Sequence, residues 1–138
     1  MPRNVKLKAV MDGRMVRAMD DGEDFGFIPV MLRVNTAAGA TNTVALTMER
    51  AFTVVDCKAQ NIGGAGGGSD TLQLKNGSSA ITDAMDMNIA DNVFARAVSI
   101  DDAQMELAAG GTLNVVATDG SGSNQMAKIV YITGYYHK

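Results

Sequence analysis

The chain has 138 residues, 46% of them hydrophobic and 20% charged, with a net charge of −3. That length fits one domain, which buries about 68% of its unfolded surface and needs no disulfide or metal staple. With one histidine (His137), one cysteine (Cys57) and no tryptophan, the chain has no Ser–His or Cys–His constellation and no zinc ligand set. The acidic balance supplies no overall basic field for nucleic acid.

Residues 1–26 differ from the rest of the chain. Arg3, Lys6, Lys8, Arg14 and Arg17 stand against one acid, Asp12, and then Asp20, Asp21, Glu23 and Asp24 crowd into five positions. Val5, Leu7 and Ala9 alternate with Lys6, Lys8 and Val10, an extended pattern suited to lying along another strand. Met11, Met15 and Met19 have no core of their own. The segment reads as a docking arm, and equally as a plain solvated terminus. Its start has no unbroken apolar stretch of the kind a signal peptide needs, and no apolar run approaches the ~20 residues of a membrane helix.

The body, 27–138, reads as strands separated by turn residues. Phe27 to Val34 is extended, with Pro29 favouring an edge position. Thr43 to Met48 alternates, with Val44, Leu46 and Met48 facing one way. Phe52 to Gln60 changes apolar phase between Val54 and Val55, which predicts a bulge or a sheet-switching bend. Cys57 is placed on one face with Val55 and Ala59, as a small buried residue in preference to a reactive thiol. Thr71 to Lys75 turns Leu72 and Leu74 inward, and Asn76-Gly77 announces a hairpin returning through Ser78 to Thr82. Ala84 to Ile89 and Val93 to Ile100 are two further strand candidates. Asp101 to Gln104 reads as a helical turn capped by Asp101. After the Gly110-Gly111 turn, Thr112 to Thr118 is a strand. Gln125 to Tyr136, apolar on both faces, belongs at the centre of a sheet. The expected fold is all-β: an antiparallel β-sandwich, jelly-roll-like, with an extended N-terminal arm.

Signals for chemistry are thin. Gly63 to Ser69 lacks the lysine and the following helix of a phosphate loop, and reads as a mobile tip loop or a close fit to a partner's backbone. Asp83, Asp86, Asp91, Asp101 and Asp102 are oxygen donors of the calcium type without a full calcium-loop pattern, and read as solvated loop carboxylates. The sequence has 5% aromatic residues, few for a sugar-stacking cleft. Tyr131, Tyr135, Tyr136 and His137 end the chain as an aromatic group that serves an interface or simply packs on a sheet. Met85, Met87, Met105 and Met126 read as core filling. No catalytic residue, cofactor or metal is expected, and the chain is read as not an enzyme.

The series from Phe52 to Gly134, about 83 of the 138 residues, carries a resemblance. Its parts are a valine-rich strand, the glycine-rich loop, DTLQLKNGSSAITDAMDMN at 70–88, IDDA at 100–103, AAGGTLNV at 108–115 and a small-polar loop before the last strand. In this order it resembles the decoration or cement proteins of tailed bacteriophage capsids, auxiliary virion proteins with a β-sandwich. The resemblance implies a virion structural protein on the outer capsid surface, assembled in the host cytoplasm. It implies binding where major capsid protein subunits meet, with a homotrimer favoured; the acidic balance and the lack of a membrane-length apolar run make neither nucleic acid nor membrane an expected partner. The contact residues expected on physical grounds are Arg3, Lys6, Leu7, Lys8, Met11, Arg14, Met15 and Arg17 in the arm, with Tyr135 and Tyr136 at the other end. The rival expectation is a carbohydrate-binding or host-attachment β-sandwich of a head fibre or tail.

Overall fold

The computed structural model describes residues 27–120 and 126–137. The arm with its eight expected contact residues, the loop 121–125 and Lys138 lie outside the described residues, as does the side chain of Met126. Within the described residues the chain forms ten β elements and no helix. These are β1 (Phe27–Thr36), β2 (Thr41–Thr47), β3 (Phe52–Ile62), β4 (Thr71–Asn76), β5 (Ser79–Ala80), β6 (Met85–Asp86), β7 (Phe94–Arg96), β8 (Glu106–Leu107), β9 (Thr112–Thr118) and β10 (Met126–Tyr136).

Two five-stranded antiparallel sheets pack face to face. The first runs β1-β10-β3-β7, with β8 also paired to β3; the second runs β2-β9-β4-β5, with β6 also paired to β4. The inward alternation that the sequence announces fills the space between them. Val34, Leu72, Leu74, Leu113, Val115, Val130 and Ile132 are buried, with Cys57, Ala59 and Phe52 beside them. Truncating one of the leucines to alanine costs about 2–5 kcal/mol, because the cavity left behind collapses only in part. β10 is central, between β1 and β3, and Pro29 lies on the edge strand β1, where a missing N–H disrupts least.

The expected bulge is present. β10 pairs Thr133 with Asp56 and then Gly134 with Val54, so Val55 is the extra residue on β3. The bulge corrects one placement: Val55 turns out to solvent at 42% exposure, while Cys57 and Ala59 stay buried. Gly134 lies over the start of β3, and a Cβ there would collide with the Phe52 ring and the Thr53 carbonyl. Glycine is required at this close approach.

The stretch from 78 to 107 departs from expectation. Three expected strands shrink to β5, β6 and β7, of two, two and three residues. The physical reason is that aspartate side chains take backbone N–H groups that a ladder would otherwise use. Asp83 Oδ1 accepts from Val98 and Ser99, and Asp86 Oδ1 accepts from Asn88. The expected helical turn at Asp101 is a single hydrogen-bonded turn: Gln104 and Met105 donate to the Asp101 carbonyl, and Ala103 donates to its Oδ1.

Candidate functional site

Register decides what each sheet shows to the outside, because directly opposed residues share a face with Cβ atoms about 4.5–5.5 Å apart. On the first sheet one outward row runs Met31 (β1), Tyr131 (β10), Lys58 (β3), Arg96 (β7). The next runs Arg33, Ile129, Gln60, Phe94. Met31 is 67% exposed and Phe94 47%. The Phe94 and Tyr131 rings lie 5.6 Å apart, and Lys58 Nζ sits 4.8 Å from the Phe94 centroid and 5.5 Å from that of Tyr131. The result is an aromatic pair with a cation across it, flanked by methionine. Arg96 donates to Asp56 at 2.7 Å, an exposed pair of small energetic value. Beyond β7, Val98 stands 90% exposed.

The C-terminal aromatic group continues this face. Tyr135 packs edge-on against Phe27 with centroids 6.0 Å apart, and Tyr136 turns to the core against Phe52 at 5.0 Å. His137 Nε2 is 2.6 Å from Thr53 Oγ1, which ties the strand end to β3. Tyr135 therefore stays half-buried at the rim, whereas Tyr136 gives one side of its ring to packing.

The outward positions of the second sheet form a different surface. Thr41, Thr118 and Thr71 make one row, Thr43, Val116 and Gln73 the next, and Ala45, Asn114 and Lys75 a third. Thr47 and Thr112 pair at the end.

The glycine-rich loop is fixed by its own chain. Gly66 N–H donates to Ile89 O at 2.8 Å, and a Cβ on Gly66 would collide with the Met87 carbonyl. The close backbone approach expected against a partner is thus made within the molecule. Asp91 Oδ1 accepts from Gly63 and Gly64, while Asp70 accepts from Gly67 through Oδ2 and from Gly120 through Oδ1. Among the described residues no three His, Cys, Asp or Glu side chains converge as a metal site.

Among the described residues, two clefts are shallow and open. One of about 480 Å³ is lined by Ile28, Thr47, Glu49, Arg50 and Tyr136. The other, of about 340 Å³, includes Asp83 and Asp101, whose Oδ1 atoms are already bonded to backbone N–H groups. Burial, then the nearby charges of Asp56 and Asp83, push the Cys57 thiol up to about 12. That removes its nucleophilic form at neutral pH.

Sequence reasoning missed one group. Lys128, on the central strand, is fully buried between the sheets, with Asn61, Asp70 and Asp119 also buried. Burial pulls its ammonium below the usual lysine range, while Asp70 and Asp119 act in the opposite direction. The signal was available: Lys128 shares the phase of Val130 and Ile132, so β10 is not apolar on both faces. Met85 and Met87 do fill the core, and Met105 packs against it.

The likenesses to known proteins are limited to the fold. No protein-family model and no curated protein sequence matches the chain. Among solved structures, a chain from the capsid asymmetric unit of cyanophage Pam1 matches with a TM-score of 0.54 at 12% identity. The match covers 84% of this chain and 87% of that one. Among the described residues no helix is long and apolar enough to cross a membrane.

Proposed function

We propose that this chain is a structural protein of a phage virion, a decoration or cement protein that binds the outside of the head. In this reading it bridges junctions between major capsid protein subunits and stiffens the shell. It acts as a homotrimer, takes no part in catalysis and binds neither nucleic acid nor membrane. The observation that carries the reading is the shared sandwich with a chain of a phage capsid over most of both lengths. The strand order β1-β10-β3-β7 against β2-β9-β4-β5 has first and last strands side by side and reads as a jelly roll.

The outward face of the first sheet supports the same role. Aromatic residues, methionine and arginine are the types enriched at the centre of protein interfaces. Met31, Tyr131, Phe94 and Arg96 form such a patch, with Lys58 lying across its rings and Tyr135 at its rim. Contacts repeated over many copies add avidity to a modest single interface. The arm residues Arg3, Lys6, Leu7, Lys8, Met11, Arg14, Met15 and Arg17 are proposed as a second anchor.

The test is co-sedimentation of the purified chain with mature heads that lack it, together with its mass in solution by light scattering. The reading expects saturable binding and a particle of three times the 14.5 kDa chain. Removing residues 2–24 should weaken binding without unfolding the sandwich. A monomer that stays in the supernatant at micromolar concentration would contradict the proposal.

A further inference from the structure

One end of the sandwich interior holds a lysine and an asparagine in an arrangement that neither packing nor shell binding explains. Lys128 on β10 and Asn61 on β3 are direct cross-strand partners. Both face inward and both are fully buried. Opposed Cβ atoms lie about 4.5–5.5 Å apart, a separation within the length of a four-carbon lysine stem. The Asn61 amide is oriented: Nδ2 donates to Met87 O at 3.0 Å and to Ile89 O at 3.1 Å. Its Oδ1 and the Lys128 Nζ are buried, and neither finds a hydrogen-bond partner among the described residues. A buried ammonium in this condition is disfavoured, because nothing replaces the hydration it has lost. Carboxyl groups stand nearby, since Asp70 and Asp119 are the charges that act on Lys128. Both oxygens of Asp70 accept backbone N–H groups; in Asp119, which has an interaction of its own, Oδ2 is a buried oxygen with no hydrogen-bond partner among the described residues.

We infer that Lys128 and Asn61 are the two ends of an autocatalytic intramolecular isopeptide bond that clamps β10 to β3, with Asp119 as its proton carrier. The Asp119 carboxylate takes a proton from the Lys128 ammonium, leaving a neutral amine. The Nζ lone pair attacks Asn61 Cγ, and the carbonyl electrons move onto Oδ1. Asp119 then gives its proton to Nδ2 and accepts one from Nζ. Collapse of the tetrahedral adduct restores the carbonyl and breaks the Cγ–Nδ2 bond, so ammonia leaves as the Nζ–Cγ amide forms. No oxidant or cofactor is consumed, and Asp119 ends protonated by the proton that Lys128 brought. Desolvation in an apolar pocket, which favours neutral lysine amine, is an established way to activate this nucleophile. The product exchanges a buried charge for a neutral amide. It also ties the central strand of the first sheet to its neighbour covalently, in a clamp that does not depend on the shell-binding role.

The test is the intact mass of the full-length chain under denaturing conditions, followed by peptide mapping. A completed bond makes the chain lighter by about 17 Da, the mass of ammonia lost when the lysine amine displaces it. Mapping must return a branched peptide joining Lys128 to Asn61. Lys128→Met and Asn61→Ala must each restore the full mass, and Asp119→Ala must leave most of the chain uncrosslinked. Should a variant fail to fold, the wild-type mass and branched peptide decide the matter without it. Full mass in the folded wild type overturns the inference. So does a loss of about 18 Da, which marks a bond to an aspartate carboxyl instead. A 17 Da loss confined to the Asn76–Gly77 peptide, where a succinimide forms without any lysine, overturns it as well.

Discussion

The two outer faces of this sandwich are built on the same inward pattern and differ only in what alternates with it. On the first sheet the outward positions hold Met31, Tyr131, Phe94, Ile129, Lys58, Arg33, Arg96 and Gln60; on the second they hold Thr41, Thr43, Thr47, Thr71, Thr112, Thr118, Gln73 and Asn114, with Ala45, Val116 and Lys75 between them. Threonine satisfies strand preference while keeping a hydroxyl for water. A Met-aromatic-cation surface gains free energy when covered. The fold needs only one face of each strand, which leaves the other free to differ between the sheets.

The largest effect should come from removing what both faces rest on. Leu74→Ala, in the centre of the core, is expected to lower stability by about 2–5 kcal/mol in urea unfolding and so to weaken both surfaces together. Surface variants then separate one face from the other. Met31→Glu with Phe94→Ala should cut affinity for heads at least tenfold, about 1.4 kcal/mol or more, with the thermal midpoint almost unmoved. Thr43→Glu with Gln73→Ala on the second sheet should leave affinity within error. Equal losses from the two pairs would erase the distinction between the faces.

Lys58→Ala divides the first face further. It removes the cation over Phe94 and Tyr131, worth about 0.5–1 kcal/mol at an exposed site, and should shift head affinity two- to fivefold. The last expected effect is absent at neutral pH and concerns the interior shared by both sheets. The Cys57 thiol is raised to about 12 in the fold from its ordinary value of 9.0. The unfolded chain therefore releases this proton first, and stability should fall once pH rises above about 9, at no more than about 1.4 kcal/mol per pH unit. Alkaline unfolding curves of Cys57→Ala should lack that increment of slope.

Much of the scaffold was legible. The long strands β1, β2, β3, β4, β9 and β10 announce themselves because residues such as Leu72 and Leu74, or Val44 and Leu46, alternate cleanly with polar neighbours. The bulge at Val55 was readable as a phase shift, although its outward turn was not, since that depends on where Gly134 of β10 crosses Phe52. The stretch from 78 to 107 misled because Asp83, Asp86 and Asp101 look like solvated acids in a sequence. In the fold Asp83 and Asp86 accept backbone N–H groups where longer strands were expected, while Asp101 caps the expected turn. The outward row of Met31, Tyr131, Lys58 and Arg96 joins four distant segments, so only register reveals it. Lys128 was overlooked because a lone charge in an apolar run is easily assigned to the surface.

The most direct measurement is a cryo-EM reconstruction of heads to which the purified chain has been added back. The account predicts density for the sandwich on the outer surface at subunit junctions, with the face bearing Met31, Phe94 and Tyr131 against the shell. Density with the threonine face inward, or heads with no added density at saturating protein, would contradict it.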